Sequence, residues 1–386
     1  MRILMLDNEF PPLGGGMGTV NLELFRQFAL REDLEIDLVT ASLGAQYQTE
    51  QFSKHIQIYK VPVWNRNIHH SSNRELCLYA AEAFWLARRL VRQRRYGFCF
   101  AWSVLPAGVV ALALKRLFKL PFMTWVSGPD IPGFESRYHR LYPVLLPLIK
   151  STWRASQPLI AKCQEEVDMI HAVDPEVPVQ VIPNGADLEG FRSANLSIHE
   201  GPLKVISVAR LIERKGQHHL IRAVKLLKDQ GIDIQVSLVG TGDSLLNFQR
   251  LAQDLDVQDR VHFTGYVPRE EINNHYQDAH VFVLPSFNEG MSLAALEAMA
   301  AGLPLIVTRT GGTKDILKEG VNGFSFDWGD ISALAGHLEK LARDSCLVSR
   351  MGEASRIRAE RFSWPVIAEE YIDLFSITML DLANQS

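Results

Sequence analysis

The chain has 386 residues, a net charge of -4 and a pI near 6.3, a length that suits two domains each burying its own core. Hydrophobic residues at 47% and charged residues at 22% exclude a disordered chain. Four scattered cysteines (Cys77, Cys99, Cys163, Cys346) without a C-x-x-C pair exclude a disulfide framework or a zinc ribbon and suit a reducing compartment.

The opening run M-R-I-L-M-L meets Asp7 too early for a signal peptide. No stretch approaches the roughly 18 apolar residues of a spanning helix. The expected location is cytoplasmic, with peripheral contact at the inner membrane face left open. In chain order, strands are predicted at Arg2–Asp7, Glu35–Thr40, Ile56–Val61, Phe98–Trp102, Phe122–Ser127, Pro158–Ala161 and Val179–Ile182. A second series follows at Lys204–Ala209, Ile234–Val239, Val261–Gly265, Val281–Pro285, Pro304–Thr308 and Gly323–Phe326. Helical periodicity fills the gaps. Gln217–Gln230, for instance, aligns Leu220, Val224 and Leu227 on one face and stops before Gly231.

Continuous apolar strands separated by helices read as parallel sheets covered on both faces. Their number exceeds one open sheet, so the fold class is α/β with two doubly wound domains. The polar stretch Asn184–Pro202 separates residues 1–190 from residues 200–363. Ser363 and Pro365 cap and open a last helix over 364–386. Ligands of doubly wound sheets bind outside the carboxyl ends of the strands, and two such domains facing each other make a cleft.

The richest stretch runs from Leu284 to Gly312, L-P-S-F-N-E-G-M-S-L-A-A-L-E-A-M-A-A-G-L-P-L-I-V-T-R-T-G-G. A loop after the strand carries Glu289 and Gly290, and a helix is expected from about Met291 to Ala301. The amides of Met291, Ser292 and Leu293 at that helix start suit a phosphate. Glu289 can accept from sugar hydroxyls and Glu297 from a ribose diol. The plainer reading makes Glu289 a partner of the helix dipole and Glu297 a solvated residue. Arg210 and Lys215 leave a strand end five residues apart, where two cations can clamp a diphosphate and stabilise a leaving group. Taken alone, they would be an exposed basic turn.

Together with this stretch, P-P-L-G-G-G-M-G at Pro11–Gly18, I-P-N-G-A-D at Ile182–Asp187, V-A-R-L-I-E-R-K-G at Val208–Gly216, L-V-G-T-G-D at Leu238–Asp243 and F-T-G-Y-V at Phe263–Val267 give the chain a resemblance. It resembles the retaining glycosyltransferase family four over nearly its whole length. The resemblance implies a GT-B fold of two Rossmann-like domains, the first holding the acceptor and the second the nucleotide sugar, with the last helix crossing back. It implies transfer of a hexosyl group, with retention and without a metal, from a UDP-, GDP- or ADP-sugar to a hydroxyl of a glycan or lipid-linked acceptor. No separate cofactor is implied. Gly15 and Gly16 are to close over the donor phosphate, Tyr266 and Val267 to meet the base edge, and Arg210 and Lys215 to hold the diphosphate. Gly240 lets a strand end pass close to the phosphates, or makes a plain tight turn. Asn184-Gly185 reads as a structural turn. Front-face attack with a leaving phosphate oxygen as base is the mechanism the family suggests. A nucleotide-sugar epimerase on the same fold is the alternative.

Many relatives carry a histidine after the strand matching Phe122–Ser127, whereas this chain reads W-V-S-G-P-D-I-P-G-F at Trp125–Phe134. Asp130 is therefore a candidate to bind a sugar hydroxyl, orient the acceptor or cap the turn. The D-x-D string Asp254-Leu255-Asp256 ends a helix on the far side of its sheet and reads as surface, so no metal is expected. Between residues 86 and 162 stand thirteen lysines and arginines and two acids. Arg88, Arg89, Arg92 and Arg95 are expected on one helix, and with the apolar run Leu141–Ile149 they make an anionic membrane a candidate partner rather than nucleic acid, since aromatic and basic residues do not interleave; the plainer reading makes the arginines solvated helix residues and the apolar run core.

Overall fold

The computed structural model describes residues 1–64, 71–134, 139–191 and 201–385. The chain packs as two compact units, one of Met1–Pro183 with Trp364–Ser386 and one of Asn184–Ser363.

The first unit is built on β1 (Arg2–Asp7), β2 (Glu35–Ser42), β3 (Gln48–Ser53), β4 (Ile56–Pro62), β5 (Phe98–Ala101), β6 (Phe122–Trp125), β7 (Leu159–Ala161) and β8 (Val179–Val181). Their order is β3-β4-β2-β1-β5-β6-β7-β8. All pairings are parallel except β3 with β4. The order reverses between β1 and β5, which makes that pair the switch point of a doubly wound sheet. Leu4, Leu6, Val39 and Ala101 are buried beneath the helices Asn73–Gln93 and Val109–Phe118. The helix Trp364–Gln385 belongs to this unit. Its Phe375 ring lies 5.9 Å from that of Phe28 and 5.3 Å from that of Phe98, and its Tyr371 ring 6.0 Å from that of Trp102.

The second unit has β9 (Leu203–Val208), β10 (Ile234–Val239), β11 (Val261–Gly265), β12 (Val281–Leu284), β13 (Leu305–Thr308) and β14 (Gly323–Phe326), all parallel, in the order β11-β10-β9-β12-β13-β14. Its switch point lies between β9 and β12.

Several strands stop short of their apolar runs. Trp102 follows β5 and Val126 follows β6 as buried loop residues, so burial continues where the ladder has ended. Strand β3 is absent from the sequence reading because Q-T-E-Q-F-S offers no apolar alternation. It is an exposed edge strand, held by backbone pairing to β4.

Candidate functional site

In the second unit the site grows from the two loops that leave the switch point. After β9 the chain passes Arg210 and a short 3-10 turn, Glu213–Lys215, and enters the helix Gln217–Asp229 through Gly216. After β12 it passes Ser286 and Glu289 and enters the helix Leu293–Ala300. The two loops are clasped together. The Phe287 amide donates to the Arg214 carbonyl at 2.8 Å, and within the loop after β9 the Gln217 side chain donates to the Arg210 carbonyl at 3.0 Å. Gly216 sits at φ +71° against the Pro285 carbonyl, a place with no room for a Cβ.

This packing brings the Lys215 ammonium onto the Glu289 carboxylate as an ion pair. Glu289 is only 8% exposed. Burial works to raise its pKa, but the Lys215 charge, its hydrogen bond, Ser286 and Arg214 outweigh burial and hold the carboxyl below its ordinary value. Glu289 is thus an ionised acceptor whose charge is already balanced. Arg210 is exposed at the end of the same strand.

The helix starts two residues later than the sequence suggests. Ser292 is its N-cap and accepts from the Ala295 amide at 3.3 Å. With Ser292 as N-cap, the amides of Ser292, Leu293 and Ala294 have no intrahelical acceptor, and Met291 lies before the helix. Met291 is buried, and its carbonyl takes the Asn184 side-chain amide at 2.9 Å. The Gly290 carbonyl accepts from the Gly312 amide at 2.7 Å, tying the Glu289 loop to the loop after β13. Asn184 thus has a specific backbone partner within the second unit.

Glu297 lies in the helix, its carboxylate 3.2 Å from Arg269 and accepting from the Tyr276 hydroxyl at 3.2 Å. These supporting residues were missed in the sequence. The available signal was Arg269, two positions beyond Val267. Gly240 stands at the end of β10, where a Cβ would strike the Ala209 carbonyl. The close approach there is to the β9 loop's own backbone, and the Gly240 amide donates to the Gly265 carbonyl at 2.8 Å. Tyr266, exposed, and Val267 follow β11 at the carboxyl edge of the sheet, two strands from β9. Asp256, from the D-x-D string, lies 3.0 Å from Lys228 at the surface.

The first unit holds the remaining candidates. Gly15 and Gly16 are exposed where β1 gives way to the helix Gly16–Phe28, with Gly15 as N-cap. Below them Asp7 ends β1, buried, accepting from the Glu9 amide at 2.9 Å and from the Asn21 side chain. Burial lifts its pKa to about 7. Asp130 is 2% exposed. Its carboxylate accepts from the amides of Val104 (2.9 Å), Leu105 (3.0 Å) and Ser127 (3.0 Å) and from the Ser127 hydroxyl (2.7 Å). That is the turn-capping geometry among the roles open to it. The carboxylate joins the loop after β5 to the loop after β6.

Known proteins resemble the chain in sequence and in fold. The family description "Glycosyltransferase Family 4" matches residues 14–189, and "Glycosyl transferases group 1" matches residues 191–358. The chain is 33% identical over 195 residues to the amylovoran biosynthesis glycosyltransferase AmsK of Erwinia amylovora, where it spans 48% of this chain and 47% of that protein. It is 30% identical to WcaL of Escherichia coli, named for colanic acid biosynthesis, over 70% of this chain and 68% of that one. Its fold superposes on that of Anabaena HepE, solved with UDP-glucose, with a TM-score of 0.74 at 19% identity, over 97% of this chain and 99% of that one. With both Rossmann-like units accounted for and a relative matched over two thirds of its length, the chain belongs to glycosyltransferase family four, on a GT-B fold.

Proposed function

We propose that the chain transfers a hexosyl group from a nucleoside diphosphate sugar to a hydroxyl of a glycan or lipid-linked acceptor, with retention and without a metal. The Lys215–Glu289 pair, spanning the switch point of the second unit, carries this reading. An ionised carboxylate at that point can accept from sugar hydroxyls. Lys215 and Arg210 can balance the charge that grows on the departing diphosphate. The first-turn amides of Leu293 and Ala294 add donors of fixed direction. Glu297 takes the ribose diol, held by Arg269 and Tyr276. Attack from the face the diphosphate leaves needs no second carboxylate, with the leaving phosphate oxygen receiving the acceptor's proton. The UDP-glucose of HepE and the polysaccharide names of AmsK and WcaL support a nucleotide-sugar donor and a glycan acceptor.

Product analysis by NMR tests the reading. The transferred sugar is expected to keep its anomeric configuration, with turnover unchanged in EDTA. An inverted product, or activity lost to chelation and restored by Mn²⁺, overturns it.

The first unit is proposed to rest on anionic lipid at the cytoplasmic face. No helix of the described residues is long and apolar enough to cross a membrane. On the helix Tyr142–Ala155, Val144 (78% exposed) and Leu148 point to solvent while Tyr142 and Ile149 are core, so half of the apolar run is available. Arg92 and Arg95, on or just past the helix Asn73–Gln93, and Arg154 are exposed, although Arg154 pairs with Asp174 at 2.8 Å. Lys162 is buried against Glu166 and contributes nothing to the surface. Each exposed cation near such a surface contributes about 1 kcal/mol. Co-sedimentation with anionic vesicles at low but not high salt is expected, and a protein that stays in the supernatant at both is not bound this way.

A further inference from the structure

The hairpin of β3 and β4 and the helix Asn73–Gln93 enclose a groove of about 580 Å³ at the outer edge of the first unit's sheet. Its walls carry ring faces. Trp85 is 59% and Tyr47 57% exposed, and Tyr59 lines the floor. Gln48 and Gln93 supply side-chain amides and Arg89 a guanidinium, and no carboxylate stands among the described residues lining it.

Large aromatic side chains left in water need a reason, and these are held in position. Arg88 lies over the Trp85 ring at 5.2 Å, and the Phe84 ring meets it nearly edge-on at 5.6 Å. The Tyr47 hydroxyl donates to Glu82. At the far end Arg94 donates to both oxygens of Asp37, at 2.7 and 2.8 Å, which fixes the rim. Binding to such a preset surface orders few side chains and so loses little affinity to entropy.

We propose that this groove binds a run of carboxylate-bearing glycan, as a distal subsite for the acceptor chain. A pyranose ring has an apolar C–H face that packs on an aromatic ring and a rim of hydroxyls that pair with amides. A uronate carboxylate is the planar partner a guanidinium takes with two hydrogen bonds. The alternatives fit less well. A bilayer is flat and does not enter a groove, whereas the exposed Val144 and Leu148 lie on another helix. An extended peptide would add to the free backbone edge of β3 rather than lie along the ring-lined wall. β3 stands three strands from β1, so the groove holds a part of the chain away from the loop at Gly15 and Gly16. A chain held there presents its other end at raised effective concentration. The proposal rests on the reading that the acceptor is a glycan.

Calorimetric titration of the full chain, without donor, tests it using oligogalacturonate and a malto-oligosaccharide of equal length. Oligogalacturonate is expected to bind and the neutral glucan to bind more weakly. Trp85→Ala and Arg89→Gln should each weaken oligogalacturonate by about tenfold or more. Should Trp85→Ala lower the melting temperature, Arg89→Gln alone decides. No binding of oligogalacturonate, or wild-type affinity in Arg89→Gln, overturns the proposal. So does loss of binding to vesicles of phosphatidylglycerol and phosphatidylcholine in variants whose glycan affinity is intact, which would make the bilayer the occupant. Binding of UDP, GDP and ADP, followed in the same samples, separates the two readings. Absence of binding by all three beside intact glycan binding defeats the nucleotide-sugar reading and leaves the groove standing.

Discussion

Lys215 and Glu289 are 74 positions apart and neither predicts the other in sequence. Only the adjacency of β9 and β12 joins them, so the residues were legible as candidates but their partnership was not. The pairing separates two substitutions that look alike on paper. Arg210→Ala removes an exposed cation and is expected to lower kcat by about 10²–10³ with an unchanged melting temperature. Lys215→Ala should lower kcat by a similar factor and also destabilise the fold by roughly 3–5 kcal/mol, because it leaves a buried carboxylate without its counter-charge. In the wild type, Glu289's lowered pKa stabilises the fold above the ordinary value of 4.5, and that contribution fades as acid protonates it. In Lys215→Ala burial dominates, the sign reverses, and the variant should melt higher as pH falls. Melting curves from pH 4 to 8 check both signs, and parallel curves for the two proteins would contradict this account.

Asp7 has the opposite sign in the wild type. Burial raises its pKa from 3.8 to about 7, with the Glu9 amide and Asn21 working against the rise and the Glu9 carboxylate adding to it. The folded state holds this proton more tightly than the unfolded chain does. Its contribution is present below pH 3.8 and fades as pH climbs to about 7. Asp7→Asn should therefore melt higher than the wild type at pH 8 and lose the advantage near pH 4. A constant offset across that range would mean Asp7 does not titrate there.

At the scale of elements, strands were the most legible feature. A strand covered on both faces must be apolar throughout, and that run survives in the sequence as it stands in Val281–Leu284. Edge strand β3 carries no such mark, and the start of the helix at Leu293 was misplaced because Met291 is apolar yet belongs to the loop. The loops themselves were legible as glycine-rich motifs, but not the reason for the glycines. Gly216 lets one loop backbone lie on another. Gly216→Ala must relieve both a positive φ and a collision with the Pro285 carbonyl, so the Lys215 and Glu289 loops should part. Loss of kcat by at least about tenfold, together with a lower melting temperature, is expected. Wild-type turnover in this variant would show that the two loops need not touch.

The two units differ as wholes in how the chain visits them. The second is one unbroken segment, Asn184–Ser363, whereas the first is closed by Trp364 onward. A fragment of residues 184–363 is therefore expected to melt cooperatively, and a fragment of residues 1–183 to lack a cooperative transition. A sharp melt of the shorter N-terminal fragment would show that the returning helix is dispensable.

That returning helix also fixes an order in time. On the ribosome, Phe28, Phe98, Phe100 and Trp102 emerge long before Tyr371 and Phe375, the rings that cover them. At 5–20 residues per second, synthesis of the intervening segment takes on the order of ten seconds or more. Through that interval the nascent first unit carries an open aromatic face, a surface that chaperones bind. The second half of the protein can be finished before the first.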